Sequence, residues 1–137
     1  MKEAIQTLIT SDKMAHAFEY LKQDEAHTID QQIELVQISS FSAIRFKELL
    51  TEADLDPVMD EVHNVYAHIH GTGNGPTLYV SAHLDTVFPP ETPLPVKREG
   101  TKIYAPGIGD DTRGLAEILT LARAIKESGL KPVGDII

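Results

Sequence analysis

The sequence predicts an α/β protein, an incomplete three-layer sandwich in which helices cover a mixed sheet. Apolar residues recur at helical spacing through the first forty residues and again over residues 112–128. They alternate at strand spacing around residues 65–70 and run almost continuously over residues 76–82. A further apolar run, residues 133–137, follows the long helical segment, so helix and strand patterns interleave along the chain.

In order, Ile5, Leu8 and Ile9 form one apolar face, Ala15, Phe18 and Leu21 a second, and Ile29, Ile33 and Val36 a third, which predicts three short helices. Ser11 with Asp12 is positioned to cap the second and Thr28 the third, because short side-chain oxygens accept the free N–H groups of a first turn. A fourth helix is expected over residues 44–53. From Glu61 the period shortens: Val65, Ala67 and Ile69 alternate with Tyr66, His68 and His70, and a more apolar strand follows over residues 76–82. Gly71, Gly73, Asn74 and Gly75 between them suit a hairpin turn. A phosphate-cradle reading of these glycines fails, since Pro76 and a strand follow where a helix would have to begin. Residues 95–98 and 102–105 read as a small hairpin turning at Glu99-Gly100. The strongest helix is Thr112–Ser128, with a stripe of Leu115, Ile118, Leu119, Ala122 and Ile125, ended by Gly129 and Pro132. Residues 133–137 read as a buried strand in which the chain stops.

With 137 residues, 42% of them hydrophobic and 24% charged, the chain has the make-up of one packed domain. A formal charge of −9 with no offsetting basic run argues against nucleic acid and against anionic membrane surfaces as partners. Zero cysteines exclude disulfides, thiolate metal sites and a cysteine nucleophile. With no signal-peptide core and no span of about 20 apolar residues, the expected location is the cytoplasm.

Chemistry concentrates in two places. Ser81, His83 and Asp85 fall on one side of a strand end. A neutral imidazole binds zinc through one nitrogen while the other commonly donates to an oxygen that fixes the ring, and Asp85 is placed to orient His83 in this way. Taken alone, the pair reads more plainly as a strand-end histidine and a turn-capping aspartate. Asp110 and Asp111 open the long helix after Gly107 and Gly109. Helix capping accounts for one of them. The other repels its neighbour unless the two point apart or a cation intervenes, and a carboxylate bridging two metals about 3.5–4 Å apart is a standard part of co-catalytic hydrolase sites. His68 and His70 share a strand face and form a rival chelate. Lacking a carboxylate at suggestive spacing, they read better as the wet face of a half-exposed strand. His16, His27 and His63 read as surface residues, and there is no Gly-x-Ser-x-Gly elbow for a serine nucleophile.

The run from Glu61 through Asn64-Val65 to Gly75-Pro-Thr-Leu-Tyr-Val-Ser-Ala-His-Leu-Asp-Thr-Val-Phe88 resembles the first metal motif of the zinc aminoacylase and carboxypeptidase family, which includes peptidase T, carboxypeptidase G, acetylornithine deacetylase and succinyl-diaminopimelate desuccinylase. Tyr104-Ala-Pro-Gly-Ile-Gly-Asp-Asp-Thr-Arg-Gly-Leu-Ala116 resembles the second, and Gln32-Ile-Glu-Leu35 with Ile38 is similar to the tripeptidase-like branch. The resemblance implies a zinc-exopeptidase-like catalytic domain. In it His83 ligates one zinc, Asp85 orients His83, Asp110 bridges two zincs and Asp111 stands behind them, with a cis peptide bond expected between Asp110 and Asp111. Zinc follows from the resemblance and the ligand types, and cobalt or manganese would accept the same donors.

The family's glutamate pair, its later acidic and histidine ligands and its lid or dimerisation domain have no counterpart in these residues. The chain is therefore expected to be the N-terminal part of one catalytic domain over 1–137, with a helical lead-in over 1–53 and sheet and long helix over 61–137. The stretch from Ser39 to Phe46 also looks shorter than in the family. The complete relative would hydrolyse small peptides or N-acyl amino acids, and this chain alone is expected to be silent. The alternative expectation is a folded scaffold or interaction module, with homo-oligomers formed through an unpaired sheet edge left at Ile137.

Overall fold

In the computed structural model, which describes residues 2–38 and 43–137, four helices precede the strands and one follows them. They are α1 Lys2–Ile9, α2 Asp12–Gln23, α3 Glu25–Val36, α4 Ala43–Glu52 and α5 Thr112–Ser128, with β1 Val58–Met59, β2 Val65–Tyr66, β3 Lys97–Glu99 and β4 Lys102–Tyr104 between α4 and α5. The α/β class is as expected. Part of the shortened stretch noted in the sequence, residues 39–42, lies outside the described residues. Among the described residues no helix is long and apolar enough to cross a membrane.

Helix α5 sits at the centre. Leu115 and Leu119 join Leu35 of α3 and Phe46, Leu49 and Leu50 of α4 in one core, against which Val65, Ala67, Ala82 and Leu84 pack from the strand side. Gly129 ends α5 in the left-handed conformation at φ 63°, and its N–H caps the carbonyls of Ile125 and Lys126. Ser11 caps α2 by accepting from the Met14 N–H, as its position predicts.

The lead-in departs from its apolar pattern. Helix α1 buries none of its residues, so the Ile5, Leu8 and Ile9 face is exposed, and α2 buries Ala17 rather than Phe18 or Leu21. Thr28 does not cap α3, which begins at Glu25 with Asp24 as its cap residue. Thr28 instead lies inside the helix, and its hydroxyl meets that of Thr120 at 2.7 Å in a buried contact. Polar contacts also tie α3 to α5 and to the loop before it: Arg123 Nη1 donates to Gln31 Oε1 at 2.7 Å, and Gln32 Nε2 donates to the Ile108 carbonyl at 2.6 Å. Satisfied polar groups bury as well as apolar ones, which is why hydrophobic spacing alone misplaced the face of α3.

The strands also differ from expectation. A short strand, β1, precedes β2 and pairs antiparallel with it (Val58↔Tyr66, Met59↔Val65), across a turn in which Asp60 Oδ1 accepts from the N–H groups of Val62 and Asn64. Strands β3 and β4 form the anticipated hairpin. Residues 65–69 and 76–80, expected to pair with each other around the glycine cluster, instead flank Ile136. Ile69 pairs with it antiparallel and Leu78 parallel. The C-terminal strand is therefore bonded on both sides and is not the open edge foreseen at Ile137. Beside it, Tyr79 is exposed.

The glycines serve this insertion by permitting close approach rather than positive φ. A Cβ on Gly71 would stand 2.5 Å from the Gly134 backbone, one on Gly75 would collide with the Gly134 nitrogen, and one on Gly134 would overlap the Pro76 carbonyl oxygen. Gly134→Ala is expected to cost about 1–3 kcal/mol by overpacking. Gly73→Ala, whose added Cβ meets only Val133 Cγ1 at 3.8 Å, should cost less. Urea unfolding of the two variants side by side tests this, and equal stabilities would contradict the described packing.

Candidate metal centre

Past the Leu78 pairing the chain stays extended, and burial alternates: Ala82 and Leu84 are half-buried while Ser81, His83 and Asp85 are exposed. The three therefore share a face, as their spacing predicts. They meet the loop that opens α5, where Gly107 takes a positive φ of 76° and its carbonyl accepts from the Thr112 hydroxyl. This brings Asp110 and Asp111 beside His83, and the Asp110-Asp111 peptide bond is cis.

The two carboxylates point apart and do different things. Asp111 caps α5 by accepting from the Gly114 N–H at 3.2 Å through Oδ1, while its Oδ2 accepts from the backbone N–H of His83 at 3.2 Å. Gly114 permits this, since a Cβ there would collide with the Asp111 carboxylate. Asp110 reaches the ring: His83 Nε2 and Asp110 Oδ1 are 3.0 Å apart. The other ring nitrogen, Nδ1, lies 2.9 Å from the Asp85 carbonyl oxygen and 3.4 Å from its carboxylate. Asp85 thus holds the ring chiefly through its backbone rather than through the side chain that the sequence singled out.

The Asp110 carboxylate, then the Asp85 carbonyl, both favour the protonated ring and hold His83 above the usual imidazole value. His83 is half exposed and the Asp110 side chain almost wholly so. The pair therefore adds little to stability but is open to solutes. His83 and Asp85 also line a cavity of about 720 Å³ whose walls include Phe46, Leu50, Ala67 and Ile118. That is within the size range of small-molecule pockets.

A second cluster was set aside in the sequence. Antiparallel pairing at Ile69 and Ile136 brings Asp135 to His68 and His70, and one ligand atom from each lies within 4.8 Å of the others. Among the described residues this is the one group of three potential metal donors. Asp135 is 65 positions from His70, so no local spacing revealed it.

Residues 79–137, which contain His83, Asp85, Asp110 and Asp111, match the model of Peptidase family M20/M25/M40, and the chain's resemblance is to that family of peptidases. Over 75 residues, 53% of the chain, it is 39% identical to Carboxypeptidase G2 of Pseudomonas sp. (strain RS-16), covering 18% of that protein. Over 128 residues, 79% of the chain, it is 27% identical to the uncharacterized protein YqjE of Bacillus subtilis (strain 168), covering 34% of it. Aminopeptidase PepT from Bacillus cereus ATCC 10987 superposes with a TM-score of 0.65 at 23% identity, over 80% of this chain and 34% of that one, which shows a shared fold. The chain thus spans between 18% and 34% of the length of these relatives.

Proposed function

We propose that this chain is the N-terminal part of a two-zinc peptidase or deacylase, with His83 a ligand to one ion and Asp110 shared between two. The carrying observation is the 3.0 Å approach of His83 Nε2 to Asp110 Oδ1, with Nδ1 tied to Asp85. Two donors each about 2.1 Å from one ion stand roughly 3–3.4 Å apart, so the pair suits a shared ion with little adjustment. A nitrogen and a carboxylate oxygen also suit zinc by type, and cobalt or manganese would use the same atoms.

When bound, zinc would supply Lewis acidity that polarises an amide carbonyl and acidifies the attacking water. The chain's own residues supply position. Asp85 holds Nδ1, so that Nε2 presents its lone pair towards Asp110 once it gives up its proton. Asp111 fixes the His83 backbone to the first turn of α5. The proposed substrates are small peptides or N-acyl amino acids, in keeping with the family of the matching segment.

By itself the chain is proposed to be silent. Catalytic zinc generally takes three protein ligands, and among the described residues no third His, Asp or Glu donor joins His83 and Asp110. Calorimetric zinc titration in a His70→Ala background, which disables the second cluster, is expected to show weak binding that falls at least tenfold with His83→Ala. Equal binding in both proteins would remove His83 from the proposal. Incubation with zinc and tripeptides or N-acyl amino acids is expected to give no turnover, and turnover abolished by His83→Ala would refute the silence.

A further inference from the structure

We infer that His68, His70 and Asp135 form a second metal site, separate from the His83 centre, that takes one borderline divalent ion such as Zn²⁺, Ni²⁺ or Cu²⁺ and clips the C-terminal strand to its neighbour. The backbone builds the site. Ile69 and Ile136 exchange both hydrogen bonds, N–H to carbonyl at 2.9 and 3.0 Å. That antiparallel register sets Asp135 directly across from His70 and diagonal to His68. Alternation turns Ile69 towards the cavity and both histidines to the other, exposed face.

The side chains then converge. His68 Nε2 lies 3.0 Å from Asp135 Oδ2, the two imidazole rings are 4.0 Å apart centre to centre, and the three donor atoms fall within 4.8 Å of one another. The other Asp135 oxygen, Oδ1, accepts from the Gly71 N–H at 2.7 Å. This anchors the carboxylate and leaves Oδ2 facing the histidines, the kind of outer support that orients a metal ligand. Two imidazoles and a carboxylate favour zinc, nickel or copper over the hard ions magnesium and calcium. Three protein donors on an exposed face leave a further position open.

The site lies away from His83. Asp135 begins the strand that runs parallel past Leu78, whereas His83 follows Leu78 by five residues, roughly 16 Å in extended chain. An ion at Asp135 would join segments 65 or more positions apart and resist their separation.

The test uses the full chain carrying His83→Ala and Asp110→Asn, titrated with Zn²⁺ and separately with Ni²⁺ by calorimetry. The expected result is one ion per chain, with affinity at least tenfold weaker after a further His70→Ala or Asp135→Asn. Hydrogen exchange supplies an independent reading: zinc should slow exchange of the Ile69 and Ile136 amides, and EDTA should restore it. No binding to the parent variant overturns the inference. So does binding or protection that survives His70→Ala in a protein whose circular dichroism is unchanged.

Discussion

Replacing Arg123 by alanine is expected to destabilise the protein by about 2–4 kcal/mol, a little below the usual cost of breaking a fully buried ion pair. Its guanidinium donates to Asp24 Oδ2 at 2.6 and 3.0 Å, to Gln31 Oε1 at 2.7 Å and to the Thr120 hydroxyl at 3.1 Å. Only 12% of the Arg123 side chain and 10% of the Asp24 side chain are exposed, so solvent would replace these bonds poorly. Burial by itself raises the Asp24 pKa, but hydrogen bonds from Arg123 and His27 more than offset it and leave the folded value below the ordinary 3.8. A carboxyl with a depressed folded pKa contributes stability that is fully present above its unfolded value and is lost as the pH falls through its folded value. Urea unfolding at neutral pH, repeated from about pH 5 to about pH 3, should therefore show a smaller acid loss in Arg123→Ala than in the parent. A variant with parental stability and an unchanged acid slope would remove the Asp24–Arg123 contact from the account.

Leu119→Ala is expected to cost about 3 kcal/mol, within the usual range of about 2–5 for leucine truncation in a packed core. Leu119 is fully buried in the core cluster that also holds Leu35 of α3 and Leu49 of α4. Leu121→Ala, two residues along the same helix and 39% exposed, should cost much less. Denaturant midpoints of the two proteins decide the matter, and comparable losses would mean that the helix faces are misassigned. The result bears on the site as well, because α5 carries Asp110 and Asp111 at its entrance.

What the sequence made legible is local. The α5 stripe, the Ser11 cap, the Gly129 stop and the hairpin of β3 and β4 each depend on residues within one or two turns of one another. The shared face of Ser81, His83 and Asp85 followed from strand alternation. The family resemblance foretold the cis bond at Asp110-Asp111. What was hidden depends on partners far along the chain. Thr28, Gln31 and Gln32 look like surface residues until Thr120, Arg123 and the Ile108 carbonyl arrive to satisfy them. The exposed α1 face shows the converse, since an amphipathic period records which side is apolar and not whether anything covers it. Asp135 became a partner of His68 only through the pairing of Ile69 with Ile136.

That pairing bears on the order in which the molecule assembles. Ile136 is 67 positions from Ile69 and 58 from Leu78; its own N–H and carbonyl bond Ile69, while Asp135 and Ile137 on either side of it bond Leu78. Each contact closes a long loop whose entropy must be met before any bond repays it, a topology that slows folding. The helices can gather around α5 beforehand, but the bonds to these two segments wait until the residues beyond that helix swing back between them.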